Sequence, residues 1–252
     1  MSPDSVVLEI AFLRVPIDST AEFATLWSEV DEQQLSNEDR RRMHSNGFRV
    51  GVIGARLPAV LRQLLDKADN PFETAGSSGV LSEDIFQNRR RLSVRAGQPA
   101  KIIAVAKEKE RITVLQNKGG YVRGVEFRRA QGVFVLRAFP LGDGRVRIQL
   151  TPTIEHGLMR NQYVGVDQTF MFQAGRDTHE FKDLLVECLL SPGQTLAVTK
   201  TLDAKGLGSH FFAADAAAST TCSVMLIRLA QTQLDDLFSS DLTTITTEPG
   251  NE

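Results

Sequence analysis

Short apolar segments alternate with turn sequences over most of the chain after residue 90, and this pattern constrains the fold more than any other feature. The turn sequences NKGG, LGDG and SPGQ carry the Gly, Pro, Asn and Asp residues that favour tight turns. Their spacing of roughly 8 to 15 residues is typical of antiparallel strands rather than of strand–helix–strand units. The candidate strands are RLSVRAG, KIIAVAK, RITVLQ, YVRGVEFR, GVFVLRAF, RVRIQLTP, QYVGVDQTFMFQ, FKDLLVECLL, QTLAVTKTL and SVMLIRLA.

The clearest hairpin lies in VLRAFPLGDGRVRIQLTP, residues 135–152. Asp143-Gly144 is a strong two-residue turn signal, because both central positions of a type I′ turn need positive φ. After this turn, polar and apolar residues alternate with period two, which predicts one buried and one solvated face. Arg145 and Arg147 fall on the solvated face, where they either contact a partner or are simply hydrated. The predicted core side chains are Val146, Ile148 and Leu150.

The first 68 residues mix strands with helices. Residues 6–15 are an apolar, β-branched strand, and the apolar residues at 23, 26, 27 and 30 have the spacing of an amphipathic helix. Ser36 followed by Asp39 is a capping-box signature, which predicts a second helix. Pro58 occupies a favoured first position of a third helix. The predicted buried face of that helix is Val60, Leu61, Leu64 and Leu65.

These patterns predict an α+β fold in which an N-terminal α/β portion precedes a mostly antiparallel, strand-rich region. Residues 66–80 are rich in Gly, Ser, Asn and Pro and lack periodicity, so a loop or linker is expected there. A single domain with a long surface loop is an alternative to two domains. The predicted division is 1–68 for the α/β portion, 69–80 for the loop or linker, 81–232 for the antiparallel β region and 233–252 for a flexible tail.

The charge balance gives no bulk electrostatic reason to bind nucleic acid or an anionic membrane, since the formal net charge is −2. No apolar run approaches the roughly 18 residues of a membrane-spanning segment, so we expect no transmembrane helix. The first residues lack the basic region and cleavage site of a signal peptide. The sequence leaves two alternatives open: either the protein is cytoplasmic, or a signal segment has been removed from it.

The two cysteines, Cys188 and Cys222, each lie in an apolar run. Neither belongs to a CxxC pair, so the sequence does not support a structural zinc site. We expect both thiols to be buried and inert. Their spacing leaves open whether they form a disulfide with each other.

No constellation of catalytic residues stands out in the sequence. The four histidines form no HExxH motif, and no GxSxG segment is present. We therefore predict no catalytic residue, no metal site and no cofactor, and no small-molecule ligand is indicated. The alternative is a small-molecule-binding protein or enzyme whose site is assembled from scattered residues, with His156 and His179 in polar loops. The candidate pool is Asp143, Arg145, Arg147, His156, His179 and His210.

A pair of aromatic residues, Phe211 and Phe212, follows His210 in the segment KGLGSHFF. Adjacent aromatics are either core anchors or, at an exposed hairpin tip, a contact point for a partner or lipid. His210, Phe211 and Phe212, together with Arg145 and Arg147, are the residues predicted to contact a partner.

Five segments resemble, in order and approximate spacing, the conserved core of the secretins, which are bacterial outer-membrane ring proteins of type II and type III secretion systems. The resemblance extends over about residues 6–232. The segments are VVLEIAFLRVP with Glu9 inside an aliphatic run; NRRRLSVRAGQPAKIIA with a turn at 96–100; VFVLRAFPLGDGRVRIQLTPTI with Leu150, Thr151 and Pro152; PGQTLAVTKTL with Gly193, Gln194 and Thr195; and GLGSHFF followed by SVMLIRLAQTQ.

The resemblance implies a protein that acts without catalysis, through β-sheet packing or assembly. It also implies bacterial origin, a place in the cell envelope and a connection to protein secretion. The expected partners are further copies of the chain or an envelope protein.

Overall fold

Strands dominate the architecture, and helices are short. The computed structural model describes residues 4–16, 24, 26–69, 89–105, 107–166, 169–203, 206–212 and 221–233. The strands are β1 Ser5–Pro16, β2 Phe48–Ile53, β3 Arg90–Arg95, β4 Ala100–Ile103, β5 Lys109–Lys118, β6 Tyr121–Pro140, β7 Val146–Val166, β8 Thr169–Glu180, β9 Val186–Leu190, β10 Thr195–Lys200 and β11 Thr221–Gln233. The helices are α1 Asn37–Ser45, α2 Ala59–Asp69 and α3 Gly208–Phe211, with a 3-10 turn at Lys182–Leu184.

The strands form two sheets, and every ladder between the described strands is antiparallel. The first sheet has the order β2-β10-β11-β1-β3. The second has the order β4-β6-β7-β8, with β5 paired to β6 and β9 paired to β7. A mostly antiparallel, strand-rich fold is therefore confirmed.

Strands from both ends of the chain share the first sheet. β1 and β2 lie in it but are separated by β10 and β11, so the two N-terminal strands pair with C-terminal strands rather than with each other. The predicted loop at 69–80 and the predicted tail at 233–252 fall almost wholly outside the described residues.

The main core lies between the two sheets. Ile10 and Ile227 of the first sheet belong to the same buried cluster as Phe134 and Ile148 of the second. Each sheet has an apolar inner face because every second side chain of a strand points to the same side of its sheet, and these side chains are mostly apolar.

A second, smaller cluster covers the outer face of the first sheet. Ala11 and Leu226 on that face belong to it, together with Trp27 and with Leu61 and Leu65 of α2. The molecule thus has three layers: helices, the first sheet and the second sheet. Because both faces of the first sheet are buried, the sequence of β1 is a nearly continuous apolar run.

The predicted cap of α1 is confirmed, whereas Pro58 lies immediately before α2 rather than at its first position. Ser36 Oγ accepts a hydrogen bond from Asp39 N at 3.0 Å, which caps α1. Pro58 precedes α2 and its carbonyl accepts from Arg62 N at 3.0 Å. Leu61 and Leu65 are buried as predicted, but Val60 is 50 % exposed because it lies at the margin of the stripe facing the sheet.

The hairpin at 135–152 is confirmed, but its turn differs from the predicted type. Leu141 N donates to Arg145 O at 2.8 Å and Gly144 N donates to Leu141 O at 3.2 Å. Of the two predicted turn residues, only Gly144 has positive φ, at 82°. These features define a three-residue loop that ends in a glycine bulge rather than a two-residue type I′ turn. The predicted core side chains Val146, Ile148 and Leu150 are at most 1 % exposed.

Candidate functional site

Two hairpin arms extend from the second sheet where β6 and β7 separate. β6 and β7 pair from Pro140 with Val146 as far as Gln131 with Glu155. Beyond that point, residues 121–130 of β6 pair with β5, and residues 156–166 of β7 pair with β8. We call β5 with residues 121–130 the first arm, and β8 with residues 156–166 the second arm. The segments YVRGVEFR and GVFVLRAF, predicted as separate strands, are thus one strand of 20 residues that changes partner in its middle.

Glu108 ties the two arms together at the point of separation. Its carboxylate accepts from Arg129 Nε of the first arm at 2.9 Å and from an Arg176 Nη of the second arm. Arg129 has φ of 51°, the left-handed region that a non-glycine residue rarely adopts. The hydrogen bonds from Arg129 and Arg176 outweigh desolvation and lower the pKa of Glu108. The separation of the strands is therefore accompanied by a local backbone distortion and an ionic bridge.

His156 and His179 of the second arm both contact Phe127 of the first arm. The Phe127 ring centroid lies 5.1 Å from that of His156 and 5.2 Å from that of His179. His179 also makes an edge contact with Phe181 at 4.8 Å. Burial, with the nearby charges of His156 and Arg123, lowers the pKa of His179. The two histidines lie in β7 and β8 rather than in the predicted loops, because the β7–β8 ladder pairs Ile154 with His179 and continues through His156.

The outer edge of the first arm is covered by side chains from other elements. Asn46 Oδ1 accepts from Asn117 N at 2.8 Å, and Asn46 Nδ2 donates to Asn117 O at 3.0 Å. His210 Nε2 lies 3.1 Å from Thr113 O. These contacts occupy three backbone groups of β5, the N–H and C=O of Asn117 and the C=O of Thr113, to which a further strand could otherwise bind.

The outer edge of the second arm is open in the part of the chain that the structure describes. β8 pairs with β7 on one side, and no described strand pairs with its other side. The ladder between them shifts register between His156 and Arg160, with Gly157 at φ of 79°. Leu158 and Met159 lie in this bulge and are 55 % and 68 % exposed.

Exposed apolar side chains concentrate on the arms. Nine large apolar residues are exposed among the described residues, and five of them belong to the two arms. Such clustering on a protruding element marks a contact surface more often than an isolated exposed residue does. The five are Leu115, Tyr121, Val122, Leu158 and Met159.

Arg145 and Arg147 lie on the solvated side of the β6–β7 hairpin, at the end opposite to the arms. Arg145 forms an ion pair with Asp143 at 2.5 Å, and this partner lowers the pKa of Asp143 and raises that of Arg145. The Arg147 guanidinium lies 5.0 Å above the Phe139 ring. Both arginines therefore have intramolecular contacts, and a partner would have to compete with them.

His210, Phe211 and Phe212 form part of α3 and its C-terminal cap, not a hairpin tip. Phe211 and Phe212 are each 1 % exposed and pack against Phe48 and Phe134 with centroid distances of 4.9–6.2 Å. Their side chains act as core anchors, the other reading that the sequence left open, and neither offers surface to a partner. His210 is half-buried, and burial together with the charge of Lys109 lowers its pKa, partly opposed by its contact with Thr113 O.

The scattered candidate pool does not converge on one place. His156 and His179 both contact Phe127, whereas Asp143 and Arg145 pair with each other near Arg147 at the far hairpin turn. His210 lies apart from both groups, beside β5. Among the described residues, no group of three or more His, Cys, Asp or Glu side chains could hold a metal ion. The same part of the chain contains no helix that is both long and apolar enough to cross a membrane.

Cys188 is buried in β9 and carries a free thiol. Burial, helped by the charge of Glu187, raises the pKa of this thiol to about 12, so it stays protonated and unreactive at neutral pH. Cys222 belongs to β11, but its side chain lies outside the described residues.

Sequence reasoning missed Glu108 and Asn46. Glu108 sits in the charged run KEKE, where nothing distinguishes it from its neighbours. Asn46 lies in SNG, which reads as an ordinary turn. Both act on residues more than 20 positions away, so no local pattern could identify them.

Comparisons with protein-family models, with curated proteins and with solved structures found no match to this chain.

Proposed function

We propose that this protein acts without catalysis, by β-sheet assembly with further copies of itself through the second arm. The observation that carries the proposal is the open outer edge of β8, a strand of 12 residues. An unpaired strand presents a row of N–H and C=O groups to which another strand can add. Proteins that avoid such addition place charges or prolines on their edges, whereas residues 169–175, TFMFQAG, contain neither.

The contrast between the arms supports this choice of edge. The first arm has Asn46 and His210 bound to the backbone of β5, and the second arm has no comparable cover among the described residues. The exposed Leu158 and Met159 would extend the contact beyond backbone hydrogen bonds.

The resemblance to secretin cores gives this proposal a biological setting. Assembly through sheet edges agrees with a role in the bacterial cell envelope, in protein secretion, with an envelope protein as a further partner. The finer division, in which residues 1–68 form an α/β portion beside the strand-rich region, belongs to the same proposal and is supported by the alternation of β1, α1, β2 and α2 along the chain.

Two lysines on β8 test the proposal. Ala174 and Thr178 are exposed on that strand, so Ala174→Lys with Thr178→Lys adds edge charge without removing core contacts. Sedimentation velocity of the parent protein over a wide concentration range is expected to show oligomers, and the double variant is expected to remain monomeric.

The matched control is Val60→Lys with Gln63→Lys, which adds the same charge to exposed positions of α2. This control should assemble like the parent. A parent protein that stays monomeric at every concentration, or a β8 variant that assembles as the parent does, would contradict assembly through this edge.

A further inference from the structure

A row of polar side chains crosses the outer face of the first sheet. The strand registers place Thr195 opposite Ile53 and Arg228, and Glu9 opposite Arg228 and Arg91. Directly opposed residues in antiparallel strands point to the same side of the sheet. The outer face is otherwise apolar around Ala11 and Leu226 and is covered there by α2, so this row marks a chemically distinct site.

A cavity of about 270 Å³ lies above this row. Thr195, Arg228 and Glu9 form its floor, and α2 with the segment before it forms the opposite wall. This volume is slightly below the range of ordinary ligand pockets, about 300–1,000 Å³, and suits a small molecule of few heavy atoms. It is lined by Glu9, Ala11, Ala55, Arg56, Leu57, Arg62, Leu65, Asp66, Arg89, Thr195, Leu226 and Arg228.

Thr195 contributes a hydroxyl that has no partner in the described structure. The residue is 1 % exposed, and its Oγ1 makes no hydrogen bond with any described group. A buried hydroxyl without a partner is destabilising, so such a group calls for a ligand or another specific explanation. Because Thr195 lines the cavity, a bound molecule could supply the missing acceptor.

Positive charge exceeds negative charge around the cavity. Four arginines and two carboxylates line it. Glu9, itself 8 % exposed, accepts from Arg89 at 2.5 Å and from Arg91 at 3.4 Å. Burial tends to raise the pKa of Glu9, but the bonds and charges of Arg89, Arg91 and Arg228 outweigh burial and lower it. One carboxylate therefore faces three guanidinium groups.

Of the four arginines that line the cavity, Arg228 and Arg56 are the two best placed to bind a ligand. Arg228 faces Glu9 across the β1–β11 ladder but makes no ion-pair contact within the described residues, and the same holds for Arg56 on the opposite wall. Arg62 is held at the wall by a bond from its Nη2 to Leu57 O at 3.1 Å.

We propose that this cavity binds a small phosphate-bearing molecule, with Thr195 Oγ1 and the Arg228 guanidinium donating to the phosphate oxygens from the floor and Arg56 donating from the wall. Guanidinium groups match the geometry of phosphate oxygens, and a hydroxyl adds a donor of fixed direction. The excess of two positive charges matches a dianion better than a monoanion.

The test measures the binding of inorganic phosphate to the protein. Isothermal titration calorimetry gives the affinity, and the thermal midpoint Tm gives the stabilisation on binding. The parent protein should show saturable binding and a rise in Tm. Arg228→Gln should weaken binding by roughly tenfold or more, the effect of losing one charge-assisted hydrogen bond. Arg56→Gln, a change at an exposed position, should act in the same direction without risk to the fold.

Thr195→Val separates binding from stability. Valine has nearly the same shape and removes the unpartnered hydroxyl, so the ligand-free variant should be at least as stable as the parent while its phosphate affinity falls. Arg137→Gln is the matched control, because Arg137 is exposed on β6 of the other sheet, and its phosphate affinity should equal that of the parent.

Three outcomes would overturn the proposal: no saturable binding of phosphate by the parent, unchanged affinity in both Arg228→Gln and Thr195→Val, or acetate binding as tightly as phosphate. Sulfate, a dianion of similar shape, is expected to compete with phosphate. Phosphate binding and assembly through β8 are tested by different measurements, calorimetry and sedimentation velocity, so either proposal can fail without the other.

Discussion

Asn46 is completely buried, and it connects three elements that are distant in sequence. Its side-chain amide exchanges two hydrogen bonds with the backbone of Asn117, much as a neighbouring strand would. Its own carbonyl accepts from Gly208 N at 3.0 Å. A Cβ on Gly208 would lie 1.9 Å from Gly47 O, so glycine is required where α3 approaches this turn. One SNG turn thus joins α1, the first arm and α3.

Replacing Asn46 tests this role. Asn46→Ala leaves Asn117 N and O without their partners, which should lower the free energy of unfolding by roughly 2–4 kcal/mol. Urea denaturation followed by far-UV circular dichroism measures the change. Gln34→Ala, at an exposed position, is the control and should alter stability by less than about 0.5 kcal/mol. Equal effects of the two substitutions would show that the Asn46 bonds contribute little.

At the scale of the element, β6 shows how one long strand can pair with different partners along its length. β6 pairs with β4 and β7 along one half and with β5 along the other. Buried Ile112, Val114 and Phe127 attach the first arm to the main core, while Glu108 attaches it to the second arm.

Removing the charge of Glu108 should loosen the arms without unfolding the protein. In Glu108→Gln, the ion pairs with Arg129 and Arg176 are lost, and Arg176 keeps a buried Nη1 that already lacks a partner among the described groups. We expect faster amide hydrogen exchange in residues 109–130 and 174–180, and an unchanged rate in β10 and β11. Mass spectrometry of exchange at peptide resolution measures this.

Glu110→Gln is the matched control for that experiment, since Glu110 is an exposed acid two residues away. It should leave exchange in both arms as in the parent. Equal protection of the arms in Glu108→Gln and the parent would show that apolar packing alone holds them.

At the scale of the whole molecule, an aromatic cluster joins the two sheets. Phe48 of the first sheet lies 6.0 Å from Phe134 of the second, and Phe211 and Phe212 of α3 contact both rings. Phe134 is fully buried. The cluster couples the sheets through side chains, because no described strand is shared between them.

Phe134→Ala should therefore weaken both sheets at once. The cavity left by the ring is expected to lower the free energy of unfolding by about 3–5 kcal/mol. Trp27, the single tryptophan, reports on the outer face of the first sheet, so its fluorescence and the far-UV signal should still change at one denaturant midpoint. Phe139→Ala, at a half-buried position, should have a smaller effect. Separate midpoints for the two probes would show that the sheets unfold independently.

Local patterns in the sequence were sufficient for much of this architecture. The capping box at Ser36, the proline before α2 and the alternation of Val146, Ile148 and Leu150 all follow from neighbours within a few residues. Such features depend on backbone geometry and on the period of hydrophobic residues, which are local quantities.

The sequence alone determined that this chain is a mostly antiparallel, strand-rich protein, because hydrophobic period and turn chemistry specify the type of each element. The tertiary structure decided which strands pair, where β6 and β7 separate, and that Thr195, Arg228 and Glu9 meet in one row. Register joins residues that are distant in sequence, such as Glu9 and Arg228, which are 219 positions apart. Such contacts depend on the packing of the whole core, and no segment carries them on its own.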